Sequence, residues 1–143
     1  MSFGIEAVLF PVFVLVGLTF VLMFWMASLR VGALQRREVT MADIALRQPA
    51  WPERATKVAN AYHNQLELPL LFYVLVILAM FTRKADTFFV VMSWMFVAAR
   101  LAHAAIHVSG NVVRQRFYAF AVSAVILLIM WIVFALRLLY AGL

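Results

Sequence analysis

Two strongly apolar stretches carry polar residues at helical spacing, and the chemistry open to those residues is ion pairing, metal chelation and proton relay. In the stretch from Val58 to Pro69, Asn60, His63, Asn64 and Glu67 fall within about 100° of one another on a helix. Further on, Arg100, His103 and His107 are spaced i, i+3, i+7 and share about 60° of a helix. Glu67 stands roughly 15 Å beyond the start of its helix and Arg100 roughly 12 Å before the end of its own, so the two stripes meet at one depth. An unpaired charge in a bilayer costs from a few to more than about 10 kcal/mol. A Glu67 to Arg100 ion pair is therefore expected, with register and assembly as its alternative use.

His103 and His107 sit one helical turn apart, a spacing that can chelate a metal if His63 or Glu67 supplies a third ligand. The same pair also suits hydrogen-bonded packing or a proton-accessible lining, and no metal site is assigned. Arg114 opens the last apolar run and can lean back toward the mouth of the stripes by snorkelling. Arg116 reads as a charge anchor. Pro69 removes the N–H that would pair with the Gln65 carbonyl, so a kink is expected beside Glu67.

The elements that must position these residues are membrane helices. Of 143 residues, 67% are hydrophobic, against about 45 to 50% in a soluble domain. So short a chain cannot enclose that much apolar surface, whereas lipid solvates it and leaves only the backbone to satisfy itself, which favours helix. Four runs are long enough to span, at 7–29, 58–81, 87–108 and 112–140, each of at least 22 residues. At about 1.5 Å per residue this exceeds the roughly 30 Å hydrocarbon layer. The expected fold is an all-α, integral membrane four-helix bundle, one domain over 1–143.

The first run is too long for a cleaved signal and lacks a preceding Lys or Arg, so it is expected to remain as an anchor. The long connection at 30–57 is polar, with a turn expected at Pro49, Trp51 and Pro52. Gly110 is available to cap the third span.

The net charge of +6 does not point to nucleic acid, because the basic residues sit in short connections between apolar runs. Arg30, Arg36, Arg37, Arg47, Arg54, Lys57, Arg114 and Arg116 fall on one side; Arg83, Lys84 and Arg137 fall on the other. This bias places the long loop in the cytoplasm and both termini on the opposite side. The chain has no cysteine, so disulfides, thiolate metal sites and a cysteine nucleophile are excluded. Any thiol must come from a substrate.

The order Asn64-x-x-Glu67, Arg100-x-x-His103-x-x-x-His107, then Arg114 resembles the family of membrane-associated proteins in eicosanoid and glutathione metabolism (MAPEG), which includes microsomal glutathione transferases. The resemblance implies a homotrimer with glutathione as co-substrate in a cavity between protomers, and a lipophilic acceptor arriving from the membrane lipid. It implies that Asn64 and Glu67 hold the peptide, that Arg100 braces the site, and that Arg114 is catalytic, stabilising the glutathione thiolate. Asn60 stands where other branches carry an arginine, and His103 and His107 stand where they carry tyrosines. Arg30, Arg36 or Arg37 of a neighbouring protomer could replace that cation.

The reading is a glutathione-dependent transferase or peroxidase acting on lipophilic electrophiles. Its alternatives are a family member that binds a lipid or another small molecule without glutathione, and a small proton-coupled transporter relaying protons through Glu67. The last conflicts with a first span that has no charge between Ala7 and Leu29.

Overall fold

The computed structural model describes residues 4–45 and 50–140. Its helices are α1 (Ile5–Gln35), α2 (Met41–Ile44), α3 (Glu53–His63), α4 (Leu68–Phe81), α5 (Thr87–Val108) and α6 (Val113–Leu139), with a 3₁₀ turn at Asn64–Leu66 between α3 and α4. No strand occurs among the described residues. Four of the resulting rods are long and apolar enough to cross a membrane: α1, α3 together with α4, α5 and α6. The protein is an integral, multi-pass membrane helix bundle. Arg47 of the long loop and Pro49 of the expected turn lie outside the described residues.

The centre of the bundle is filled by Leu15 of α1, Phe72 and Leu75 of α4, Phe96 and Val97 of α5, and Leu127 and Met130 of α6. The rings of Phe72 and Phe96 stack with centroids 4.8 Å apart. A smaller cluster of Leu22, Val58, Ala61 and Ala104 closes the end nearer the long loop. There, buried Ala33, Ala55 and Ala59 let the backbones of α1 and α3 approach, the role small residues play where lipid supplies no hydrophobic drive between helices. Large apolar residues such as Phe13, Phe24, Ile77 and Leu128 face outward.

Helix extends further than hydropathy. α1 runs to Gln35 and α3 begins at Glu53, so the connection expected over 30–57 is shorter and contains α2. Charge ends an apolar run without ending a helix, because a long cationic side chain can reach the headgroup level. Arg30 stays helical with its guanidinium 4.9 Å from the centroid of the Trp51 ring. α2 opens with a capping box in which the Asp43 N–H donates to the Thr40 hydroxyl and the Thr40 N–H donates to the Asp43 carboxylate. Hydrogen bonds from Thr40, its hydroxyl foremost, hold the Asp43 carboxyl below the usual carboxylate range. In the turn after α5 the left-handed residue is Asn111, at φ 50°, and not Gly110. Asparagine tolerates that region, and its N–H closes onto the Ile106 carbonyl at 2.9 Å.

The second span is broken rather than kinked. α3 stops at His63, the 3₁₀ turn follows, and Glu67 leaves helical geometry altogether at φ −101°, ψ −103°. Pro69 then sits at the start of α4, where its missing N–H would be unpaired in any case. Arg100, with 0% of its surface exposed, is carried by α5 to the break, and its Nη2 donates to the Asn64 carbonyl at 2.7 Å. The expected ion pair with Glu67 does not form. Among the described residues the ion pairs are Arg36 with Glu38, Lys57 with Glu53 and Arg137 with Asp86, and Glu67 is exposed. Glu67 is the non-helical residue of the break and lines the same cavity as Asn60, His63 and Asn64, while the buried guanidinium takes a backbone carbonyl.

Two outcomes follow for stability. Replacing Arg100 by alanine removes a charge-assisted bond and leaves a cavity, and should destabilise by about 3 kcal/mol. Glu67→Gln should stay within about 0.5 kcal/mol. Thermal unfolding in detergent checks both, and an ion pair would make both variants costly.

A third outcome concerns Asp86, which accepts from the Phe89 N–H at 3.0 Å as the cap of α5 and pairs with Arg137 at 2.8 Å. Partial burial raises its pKa, but the hydrogen bonds from Arg137 and the Phe89 N–H outweigh it, leaving the carboxyl below its ordinary value. A depressed folded pKa gives stability that is complete above the unfolded value of about 4 and is lost as pH falls through the folded one. Asp86→Ala should cost about 1 kcal/mol at neutral pH. The gap between wild type and variant should narrow below pH about 4, as read from unfolding midpoints across an acid series.

Candidate functional site

Three helices line an open cavity of about 440 Å³ at the end of the bundle nearer the long loop. α3 and the break that follows it contribute Asn60, His63, Asn64 and Glu67; α5 contributes His103 and His107; α6 contributes Val113, Arg116, Phe117 and Phe120. Both polar stripes thus face one space. Glu67 lies roughly 10 Å deeper along the span than Asn60, so the cavity has an acidic inner end. The Asn64 side-chain amide donates to the Asn60 carbonyl at 3.0 Å, which leaves its own oxygen available to a ligand.

Arg100 is a wall residue and not a lining one. It stands behind Asn64, holding that residue's carbonyl, and its Nε and Nη1 have no partner among the described residues. Its contribution is to fix the broken backbone from which Asn64 and Glu67 project.

Within one chain the arginine that lines the cavity is Arg116, and Arg114 is not among the lining residues. Arg114 is exposed and lies over the ring of Tyr118 at 5.9 Å. The reason is helical phase: positions 113, 116, 117 and 120 of α6 line the cavity, and Arg114 falls about 110° away from the centre of that stripe. Arg116, read from sequence as an anchor, donates through Nη1 to the Asn111 side-chain oxygen at 2.7 Å and lies 3.1 Å from His107 Nε2. Val113, Phe117 and Phe120 had no signal as single residues.

The contact between Arg116 and His107 fixes a tautomer. A guanidinium only donates, so His107 Nε2 must accept, which places the ring proton on Nδ1 and makes the imidazole neutral. His103 packs edge-on against His107 at 5.6 Å and tilts against Phe120 at 5.9 Å. Both histidines are buried, and their Nδ1 atoms have no partner among the described residues. No group of three metal-binding side chains converges among those residues, and the Nε2 lone pair of His107 is already engaged by Arg116. Of the loop cations, Arg30 is held over Trp51 and Arg36 is paired with Glu38 at 2.6 Å; neither lines the cavity of its own chain.

In chemical terms the site offers one carboxylate, two carboxamides, three imidazoles and a braced guanidinium, with two phenylalanines on one side. Such a set suits a zwitterionic, peptide-sized ligand. No curated protein and no solved structure matches the chain. The family model of the MAPEG family matches residues 8–136, which takes in nearly all of each span and every residue of the cavity. The chain therefore belongs to the MAPEG family.

Proposed function

We propose that this protein is a membrane-embedded, glutathione-dependent transferase or peroxidase acting on lipophilic electrophiles. The observation that carries the reading is Arg116, a cation braced by His107 and Asn111 in a polar cavity at the membrane boundary, in a family member that has no thiol of its own. A guanidinium beside the glutathione sulfur favours thiolate over thiol, and the thiolate is the nucleophile. Its neutral histidine partner matters, because a second cation at that position would repel Arg116. Glu67 is suited to the peptide's ammonium, and Asn60 and Asn64 to its carboxylates and amides.

In transfer, the thiolate sulfur forms a bond to an electrophilic carbon, and the leaving group departs with its electron pair. In the peroxidase variant the sulfur takes the terminal oxygen of a hydroperoxide, releasing an alcohol once a proton is added, and a second glutathione converts the sulfenic acid to disulfide and water. The acceptor reaches the site from the bilayer. The homotrimer belongs to this proposal, with a neighbouring protomer covering the open side of the cavity, as does the orientation that turns the cavity toward the cytoplasm.

A second reading, a family member that holds a lipid or other small molecule without glutathione, is favoured by the cavity's single cation among its described lining residues. Glutathione brings two carboxylates. Native mass spectrometry separates the two: the first expects glutathione to bind and Glu67→Gln to weaken it, the second expects a retained different molecule.

The kinetic test is conjugation of an aryl chloride by purified protein, with the ultraviolet absorbance of bound thiolate as an independent readout. Arg116→Gln should lower the rate by about 100-fold and move its pH profile toward alkaline values, since loss of the cation raises the thiol pKa. Arg114→Gln should leave both close to wild type. Absence of glutathione binding and of thiolate absorbance in folded protein at neutral pH overturns the proposal.

A further inference from the structure

The end of the bundle away from this cavity holds a second concentration of charge. Arg83 and Lys84 from the turn between α4 and α5, Arg137 from the last turn of α6, Asp86 and Tyr140 line a cavity of about 400 Å³. The three cations that the sequence assigns to this side of the membrane all converge on it, against one carboxylate. They come from three helix ends that meet where the spans leave the apolar layer, the level at which lipid phosphates lie.

Two features show how the cluster is built. Arg137 is held in place by Asp86 at 2.8 Å and by the Phe88 ring, whose centroid lies 5.5 Å away, and a guanidinium with five donors has N–H groups left over. Arg83 adopts φ 55°, with its own N–H and that of Lys84 closing onto the carbonyls of Met80 and Ala79 at 3.1 and 2.8 Å. Glycine would hold that turn without strain, so the fold itself does not call for an arginine there. What the position gains is charge. Close by in sequence, Phe81 and Leu139 are 87% and 75% exposed. Exposed apolar side chains on the helix ends that carry a basic pocket suit a phosphate that bears acyl chains, whereas a free phosphate ion makes no use of them.

We propose that this pocket binds the phosphate of an anionic glycerophospholipid, with Arg83, Lys84 and Arg137 on the phosphate oxygens and Phe81 and Leu139 against the acyl chains. The site is separate from the glutathione cavity and does not depend on its assignment. Anionic lipids attract each membrane-proximal cation strongly enough that losing one should weaken binding about five-fold.

The test is thermal unfolding of the full chain in detergent, titrated with short-chain phosphatidylglycerol, short-chain phosphatidylcholine or inorganic phosphate. For wild type, phosphatidylglycerol should raise the midpoint at concentrations where the other two do little, and added salt should weaken the effect. Arg83→Gly relieves the left-handed residue, so it should fold at least as stably without ligand and yet need about five-fold more phosphatidylglycerol for the same shift. Lys84→Gln should need a similar increase. Three results overturn the proposal: an unchanged lipid response in both variants, equal protection by phosphatidylcholine, or equal protection by inorganic phosphate, which would mark a site for the free ion.

Discussion

A bilayer offers the backbone no hydrogen-bond partner, and the second span of this protein gives up regular pairing in the middle of its course. Between His63 and Leu68 the chain passes through a 3₁₀ turn and a non-helical Glu67. Broken backbone at this depth survives only where protein or a lined cavity satisfies it. Arg100 supplies that partner by donating to the Asn64 carbonyl from the neighbouring helix. The rest of the site depends on this bond, because Asn64 and Glu67, which line the cavity beside Asn60 and His63, project from the broken backbone that it satisfies. Arg100 is thus a positioning residue whose charge is used on backbone.

The second constraint is helical phase. α6 begins one residue after an extended Val112, in a turn whose left-handed residue is Asn111. Of the two arginines near that start, two positions apart, Arg116 lines the cavity of its own chain. The turn also hands its asparagine oxygen to that arginine, so the left-handed residue of the turn braces the guanidinium. His107 adds the second brace through an acceptor nitrogen, which requires it to be neutral. A cation held by one neutral oxygen and one neutral nitrogen keeps its full charge for whatever occupies the cavity.

The two ends of the bundle are accordingly unlike. Near the long loop, side chains from three helices line a ligand-sized space that is open on one side. At the far end, charge is confined to helix termini, where Asp86 caps α5 and holds Arg137. The stacked core of Phe72 and Phe96 separates them. Each set of polar groups therefore has its own dielectric setting: the inner one shielded by helices, the outer one in the headgroup layer, where screening by salt is strong.

The sequence by itself determined that the chain spans a membrane as helices, how many times, and which residues could make a site. Those properties follow from composition and from 3.6-residue periodicity, which are local. Asn60, Asn64, Glu67, His103 and His107 were legible because polar residues at bilayer depth have no bland explanation as solvent-facing side chains. The helical extensions into the loop, the capping box at Thr40 and Asp43, and the left-handed Asn111 were carried by short signals that hydropathy masks. What only the tertiary structure decided was pairing. A guanidinium can take a carboxylate or a carbonyl, and Arg100 takes the carbonyl of Asn64, which a break that no periodicity reports presents to it. Likewise Arg114 and Arg116 differ in azimuth, and the face that α6 packs against its neighbours, through Ser123, Ile126, Leu127, Met130 and Phe134, leaves Arg116 beside the cavity of its own chain.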